Sequence, residues 1–172
     1  MSRLKVVLGV IVGIIILVAI VGYFAINNQK ADISEEQRLN LPLSPISGID
    51  CSGTAQCITG TLTKIIDGDT LLVDDQSVRF ALSSAPELKG FGGVDVRDFV
   101  ETLCPVGSTV TVDEDDGQII GSYGRMVGVV YCGDVNLNKE ILDANLGYLE
   151  IRFCDSSEFA GESWAIKHGC PS

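Results

Sequence analysis

The pattern of apolar and polar positions divides the chain into three stretches. From Val6 to Ile26 runs VVLGVIVGIIILVAIVGYFAI, twenty-one residues without a charge or a proline. At about 1.5 Å rise per residue, such a run crosses a hydrocarbon core of about 30 Å and reads as a transmembrane helix. Residues 27–50 mix polar positions with Pro42 and Pro45, lack periodicity, and read as a tether. Beyond them the pattern becomes that of a folded domain. Ile58 to Ile66 and Thr70 to Val73 read as strands, and Asp74, Asp75 and Gln76 as a turn, after which Val78 to Leu82 returns antiparallel. Val96, Phe99, Val100 and Leu103 recur at i, i+3, i+4 and i+7, an amphipathic helix that Pro105 stops. Thr109 to Val112 and Met126 to Tyr131 are two further strands, separated by DEDDGQIIGSYG. Leu137, Ile141, Leu142 and Ala144 make a second helix ended by Gly147. Ser156 to Lys167 reads as a third, with Asp155 and Glu158 spaced as a capping box and Gly169 after it.

Five strands interleaved with about three helices give an α+β class, a five-stranded OB-fold-like barrel preceded by the transmembrane helix. The expected organisation is an anchor at 1–27, a tether at 28–56 and the barrel domain at 57–172. Arg3 and Lys5 precede the span, whereas Lys30 follows it beside Asp32, Glu35 and Glu36, so the N-terminus stays cytoplasmic and the domain faces outward. The competing reading, a cleaved signal peptide releasing a secreted protein, calls for an apolar core of about 7 to 15 residues, shorter than this run. Cys51, Cys57, Cys104, Cys132, Cys154 and Cys170 all lie beyond the span, on the oxidising side. No C-x-x-C spacing and a lone His168 argue for disulfides over a structural zinc. The connectivity is open from sequence. Adjacency of the expected elements favours Cys51 with Cys57, Cys104 with Cys132, and Cys154 with Cys170.

Charge narrows the function. The net −11 comes entirely from the part beyond Asp50, which carries 8 basic and 19 acidic residues. That excludes a domain gripping nucleic acid through a broad basic face and leaves only a site with a few focused cations. Asp113 to Asp116 reads as a solvated acidic loop. Trp164, Phe159 and Phe153 read as packing for the last helix, His168 as a partner of that helix's C-terminal dipole, and Tyr123 as either structural or a stacking surface. More informative are charges that interrupt apolar strands. Asp67-Gly68-Asp69-Thr70 sits between two strands, Arg79 lies within VRFAL, Pro86-Glu87 follows that strand, and Arg125 ends Ser122-Tyr123-Gly124-Arg125 at the head of another.

With KIIDGDT (Lys64 to Thr70), VRF around Arg79, Pro86-Glu87 and SYGR in this order, the chain resembles the thermonuclease family over roughly residues 58 to 151. The resemblance implies a nuclease hydrolysing phosphodiester bonds of single-stranded DNA or RNA and leaving a 3′-phosphate, with the domain working as a monomer outside the membrane. By that resemblance, Asp69 corresponds to the metal-binding aspartate, Arg79 and Arg125 to the phosphate-contacting arginines, and Glu87 to the carboxylate that activates water. Ca²⁺ is the implied cofactor, with Ser84, Ala85 and Asp67 as its other neighbours. The sequence departs from the family at Ser84-Ala85, where an Asp-Thr pair is usual, so a hydroxyl stands in place of a carboxylate. A rival expectation follows from that departure, a catalytically silent barrel that binds oligonucleotides or another anionic ligand.

Overall fold

The computed structural model describes residues 49–119, 121 and 123–172, so the expected membrane span at residues 6–26 and most of the tether lie outside the described residues. Among the described residues no helix is long and apolar enough to cross a membrane. Strand β1 (Cys57–Asp67) runs the full length of a barrel, using Cys57 to Thr61 to pair with β5 (Thr109–Glu114) and Leu62 to Asp67 to pair with β2 (Thr70–Val73). Register shifts between Leu62 and Lys64 and between Ile65 and Asp67 bend it from one partner to the other, as bulges at barrel rims do. A two-residue turn then leads from β2 to β3 (Gln76–Phe80), and β6 (Met126–Cys132) lies between β5 and β3. Pairing of β3 with β6, the one parallel contact in a sheet ordered β3-β2-β1-β5-β6, closes a five-stranded mixed barrel consistent with an OB-like fold.

The inward positions of these strands form the core. Leu62, Leu71, Val78, Val110, Val112 and Val129 are all buried there. Helix α1 (Gly93–Leu103) covers one side with Val96 and Val100, and α2 (Leu137–Asp143) adds Leu137 and Ile141. Asn138, fully buried, joins α2 to the barrel: its Oδ1 accepts from Val130 N, and its Nδ2 donates to the Ala81 and Gly128 carbonyls. Short β4 (Ser83–Ser84) and β8 (Tyr148–Leu149) pair with each other, and β7 (Val135–Asn136) pairs antiparallel with the end of β6. Disulfides join Cys51 to Cys57, Cys104 to Cys132, and Cys154 to Cys170.

Three expectations need correction. The return strand spans Gln76–Phe80 rather than Val78 to Leu82, because Leu82 turns the chain with φ of 58°. The third helix is two pieces, a 3-10 turn at Glu158–Gly161 and α3 (Ser163–His168). Ser157, not Asp155, caps the first piece, its Oγ accepting from Phe159 N. Asp113 to Asp116 is no solvated loop: Asp113 and Glu114 finish β5, and Asp115 is fully buried. These carboxylates accept the backbone N–H groups of a segment that lacks a sheet partner, Ser52 onto Asp113, Thr54 and Ala55 onto Asp116, and Gln56 onto Glu114. Burial pushes the Asp113 and Glu158 carboxyls up, whereas the Thr54 and Ala55 amides hold Asp116 below the usual carboxylate range.

Asp143 at the end of α2 receives Lys167 Nζ at 2.6 Å, His168 Nε2 at 2.6 Å and Lys139 Nζ at 3.0 Å, which fastens α3 to α2. Lys167, His168 and Lys139 together hold its carboxyl well below the ordinary 3.8. A depressed carboxyl stabilises the fold above its unfolded pKa and loses that contribution as pH falls below it. Asp143→Asn is therefore expected to cost about 1 kcal/mol at neutral pH, as networked surface pairs do. Urea denaturation should show the gap from wild type narrowing as pH drops below 3.8; a gap unchanged with pH would mean that charge is not what Asp143 contributes.

Candidate functional site

The turn between β1 and β2 builds the floor of the site. Gly68 is needed there for close approach, since a Cβ on it would lie 2.7 Å from both the Ala85 Cβ and a Val96 methyl. That approach draws the Ser84-Ala85 segment and α1 down onto the turn. Asp67 Oδ1 accepts from Asp69 N at 3.1 Å, and Asp69 itself is 3% exposed. In the β2–β3 hairpin Thr70 faces Arg79, and in the parallel pair Arg79 faces Val127. Arg125 lies two residues before Val127, so strand alternation sets both arginines on one side of the sheet. Its Nη1 lies 3.5 Å from Thr70 Oγ1.

A chain of hydrogen bonds links these groups. Arg79 donates from Nη1 to Asp69 Oδ1 at 2.7 Å and from Nη2 to Ser84 Oγ at 2.5 Å. Thr70 Oγ1 donates to the same Asp69 oxygen at 3.0 Å, and Ala85 N donates to Asp69 Oδ2 at 2.7 Å. Burial pushes the Asp69 carboxyl above its ordinary value, while the Ala85 amide and the Arg79 charge pull it back. The structure thus brings together Asp67, Asp69, Arg79, Ser84, Ala85 and Arg125. Tyr123, fully exposed, places its ring 6.0 Å from the Arg125 guanidinium carbon.

Glu87 stands apart from this chain of bonds. Its side chain is exposed and lies in a cleft of about 480 Å³ shared with Ile66, Asp67, Leu88 and Lys89. The loop that carries it is fixed through the backbone: Gly90 N donates to the Glu87 carbonyl at 2.7 Å, and a Cβ on Gly93 would come within 2.1 Å of that carbonyl. Glycine at the start of α1 therefore lets the helix press against the Glu87 turn. Asp67, reaching both the cleft and the Asp69 backbone, connects the two halves.

A second cavity, of about 170 Å³, borders Arg79 and is lined by Gln118, Glu150, Arg152 and Phe153 among others. Arg152 Nε sits 3.0 Å from Glu150 Oε2, and its guanidinium stacks 4.8 Å from the Phe153 ring centre. Nothing in the linear spacing ties Glu150, Arg152 and Phe153 to Arg79; the pairing of β4 with β8 brings them alongside.

The residues expected to surround Ca²⁺ do not fit it. A hard cation of this size takes about 6 to 8 oxygen ligands, and its affinity follows ligand charge. Here Asp69 spends both oxygens on Arg79, Thr70 and Ala85, and Ser84 offers a neutral oxygen already accepting from Arg79. Among the described residues no three acidic, histidine or cysteine side chains are grouped to hold a metal ion. Neither the protein-family models nor the curated proteins compared with this chain give a match.

Proposed function

We propose that the barrel domain hydrolyses phosphodiester bonds of single-stranded DNA or RNA in the manner of a thermonuclease, held on the outer face of a membrane by residues 6–26. The observation that carries this reading is the hydrogen-bonded chain from Arg79 through Asp69 and Thr70 to Arg125, with Asp67, which accepts from Asp69 N, also lining the Glu87 cleft. A diester is anionic and repels an attacking hydroxide. Two guanidiniums neutralise it and gain strength as charge builds on the phosphoryl oxygens. Glu87 takes a proton from a water, whose oxygen attacks phosphorus as the bond to the sugar oxygen breaks; that oxygen leaves with the electron pair and takes a proton from solvent. The cavity beside Arg79 adjoins this site, with the Arg152 guanidinium offering a flat face for a base. With a net charge of −11, binding is focused on these few cations, so its fall with salt has the shallow slope of a few phosphate contacts.

The second reading, a silent module that binds oligonucleotides, draws on Ser84, where the hydroxyl and the Asp69–Arg79 pair leave less charge to work with. Full-length protein in detergent, incubated with end-labelled single-stranded DNA and RNA at low salt, separates the two. Shortened products with 3′-phosphate ends are expected. Retention of intact oligonucleotide points to the binder, and neither binding nor cleavage overturns both.

A further inference from the structure

We infer that Arg79 occupies the place of a divalent cation and supplies positive charge there, so that the site engages its phosphodiester without a metal ion. This inference rests on the phosphodiester reading above and concerns how that same site is charged.

Arg79 bridges the two side chains expected to share a cation, with Nη1 on Asp69 Oδ1 and Nη2 on Ser84 Oγ. On the third expected side the group facing Asp69 is a donor, the Ala85 amide at 2.7 Å from Oδ2. A cation reaching Asp69, which is 3% exposed, would have to evict the guanidinium from a buried carboxylate and turn the amide away. The guanidinium would then lose both acceptors and lie next to a second positive charge, which opposes entry of the ion.

Charge balance points the same way. Asp67, Asp69, Arg79 and Arg125, joined through the hydrogen bonds described above, sum to zero with serine at position 84. A carboxylate at that position would leave the group one charge negative and draw in a cation; the hydroxyl does not. The guanidinium has N–H groups to spare, because only one on each terminal nitrogen is spent on Asp69 and Ser84. Its planar fork suits a phosphate better than a point charge would, and a side chain needs no supply of free ion.

The test uses full-length protein in detergent. Ca²⁺ is titrated calorimetrically into wild type and Ser84→Asp, and a fluorescent single-stranded oligonucleotide with cleavage-resistant phosphorothioate linkages is titrated into wild type in chelator and in excess Ca²⁺. Wild type is expected to hold the oligonucleotide equally well in both conditions, and Ser84→Asp to bind Ca²⁺ at least about tenfold more tightly than wild type, because the added carboxylate restores ligand charge. Wild type that binds Ca²⁺ as tightly as the variant, or oligonucleotide binding that appears only with Ca²⁺, overturns the inference. The wild-type titrations decide this even if the variant fails to fold. An oligonucleotide held in neither condition overturns the phosphodiester reading instead, while the wild-type Ca²⁺ titration still reports whether Arg79 keeps the ion out.

Discussion

Glu87→Gln is expected to slow cleavage of single-stranded DNA by about 10²- to 10⁴-fold, the usual worth of a positioned general base. Glutamine keeps the shape and polarity of the side chain and removes only its capacity to accept the proton of the attacking water. The fold should not notice, since Glu87 is exposed and its loop is held by the carbonyl that receives Gly90 N, not by the carboxylate. Binding should stay near wild type as well, because the groups that would hold the phosphate, Arg79 and Arg125, belong to a separate set of contacts. The informative measurement is thus a pair: single-turnover cleavage with saturating protein, and oligonucleotide affinity by anisotropy. Loss of rate with affinity intact assigns Glu87 to the chemistry. Equal loss of both would make it a contact to substrate, and an unchanged rate would remove it from the reaction.

Which features the sequence discloses depends on whether the physics is local. The helix over Val96 and Val100 and the strands of the barrel are legible because burial of one face imposes a period, and Arg79 stands out because a charge inside VRFAL breaks one. The cysteine pairs agree with the adjacency expected of the elements, although spacing leaves the connectivity open: two close short loops, whereas Cys104–Cys132 reaches past β5. The acidic run misleads because four like charges in a row read as solvated. Their partners, the amides of Ser52 to Gln56, lie more than fifty residues away, and backbone donors leave no trace in composition. The last helix misleads because cap signals at its two ends do not show the break inside it, where Glu162 is extended. At the site, Ser84 is visible in sequence as a missing carboxylate. That Arg79 then reaches across to it is not, since this depends on the Thr70–Arg79 register and on Gly68 admitting Ala85. The cavity lined by Glu150, Arg152 and Phe153 depends on still more distant pairing through β8.

Arg79→Ala is expected to do more than weaken phosphate binding: it should destabilise the fold by about 1 to 3 kcal/mol at neutral pH, the cost of leaving a buried carboxylate without its charged donor. Asp69 is that carboxylate, 4% exposed and with the guanidinium on one oxygen. The effect carries a pH signature whose sign follows from the Asp69 shift. Burial raises that carboxyl above 3.8 in the folded chain, and Arg79 is one of the influences lowering it, so the variant raises it further. A folded state that holds its proton to higher pH than the unfolded chain loses stability as pH rises from 3.8 through the folded value. The penalty of Arg79→Ala should therefore be largest above that window and fade as pH falls toward 3.8, where a neutral carboxyl needs no guanidinium. Asp143 and Asp116 lose stability on acidification in both proteins, so the quantity to follow is the difference between variant and wild type across a series of urea curves. Arg79→Lys separates charge from geometry: a lysine returns the charge next to Asp69 and recovers part of the stability, but cannot span Asp69 and Ser84 with one planar fork. Oligonucleotide affinity should then stay low although the fold is restored. If the penalty is the same at every pH, Asp69 is not what Arg79 neutralises, and the guanidinium does not stand in for a cation.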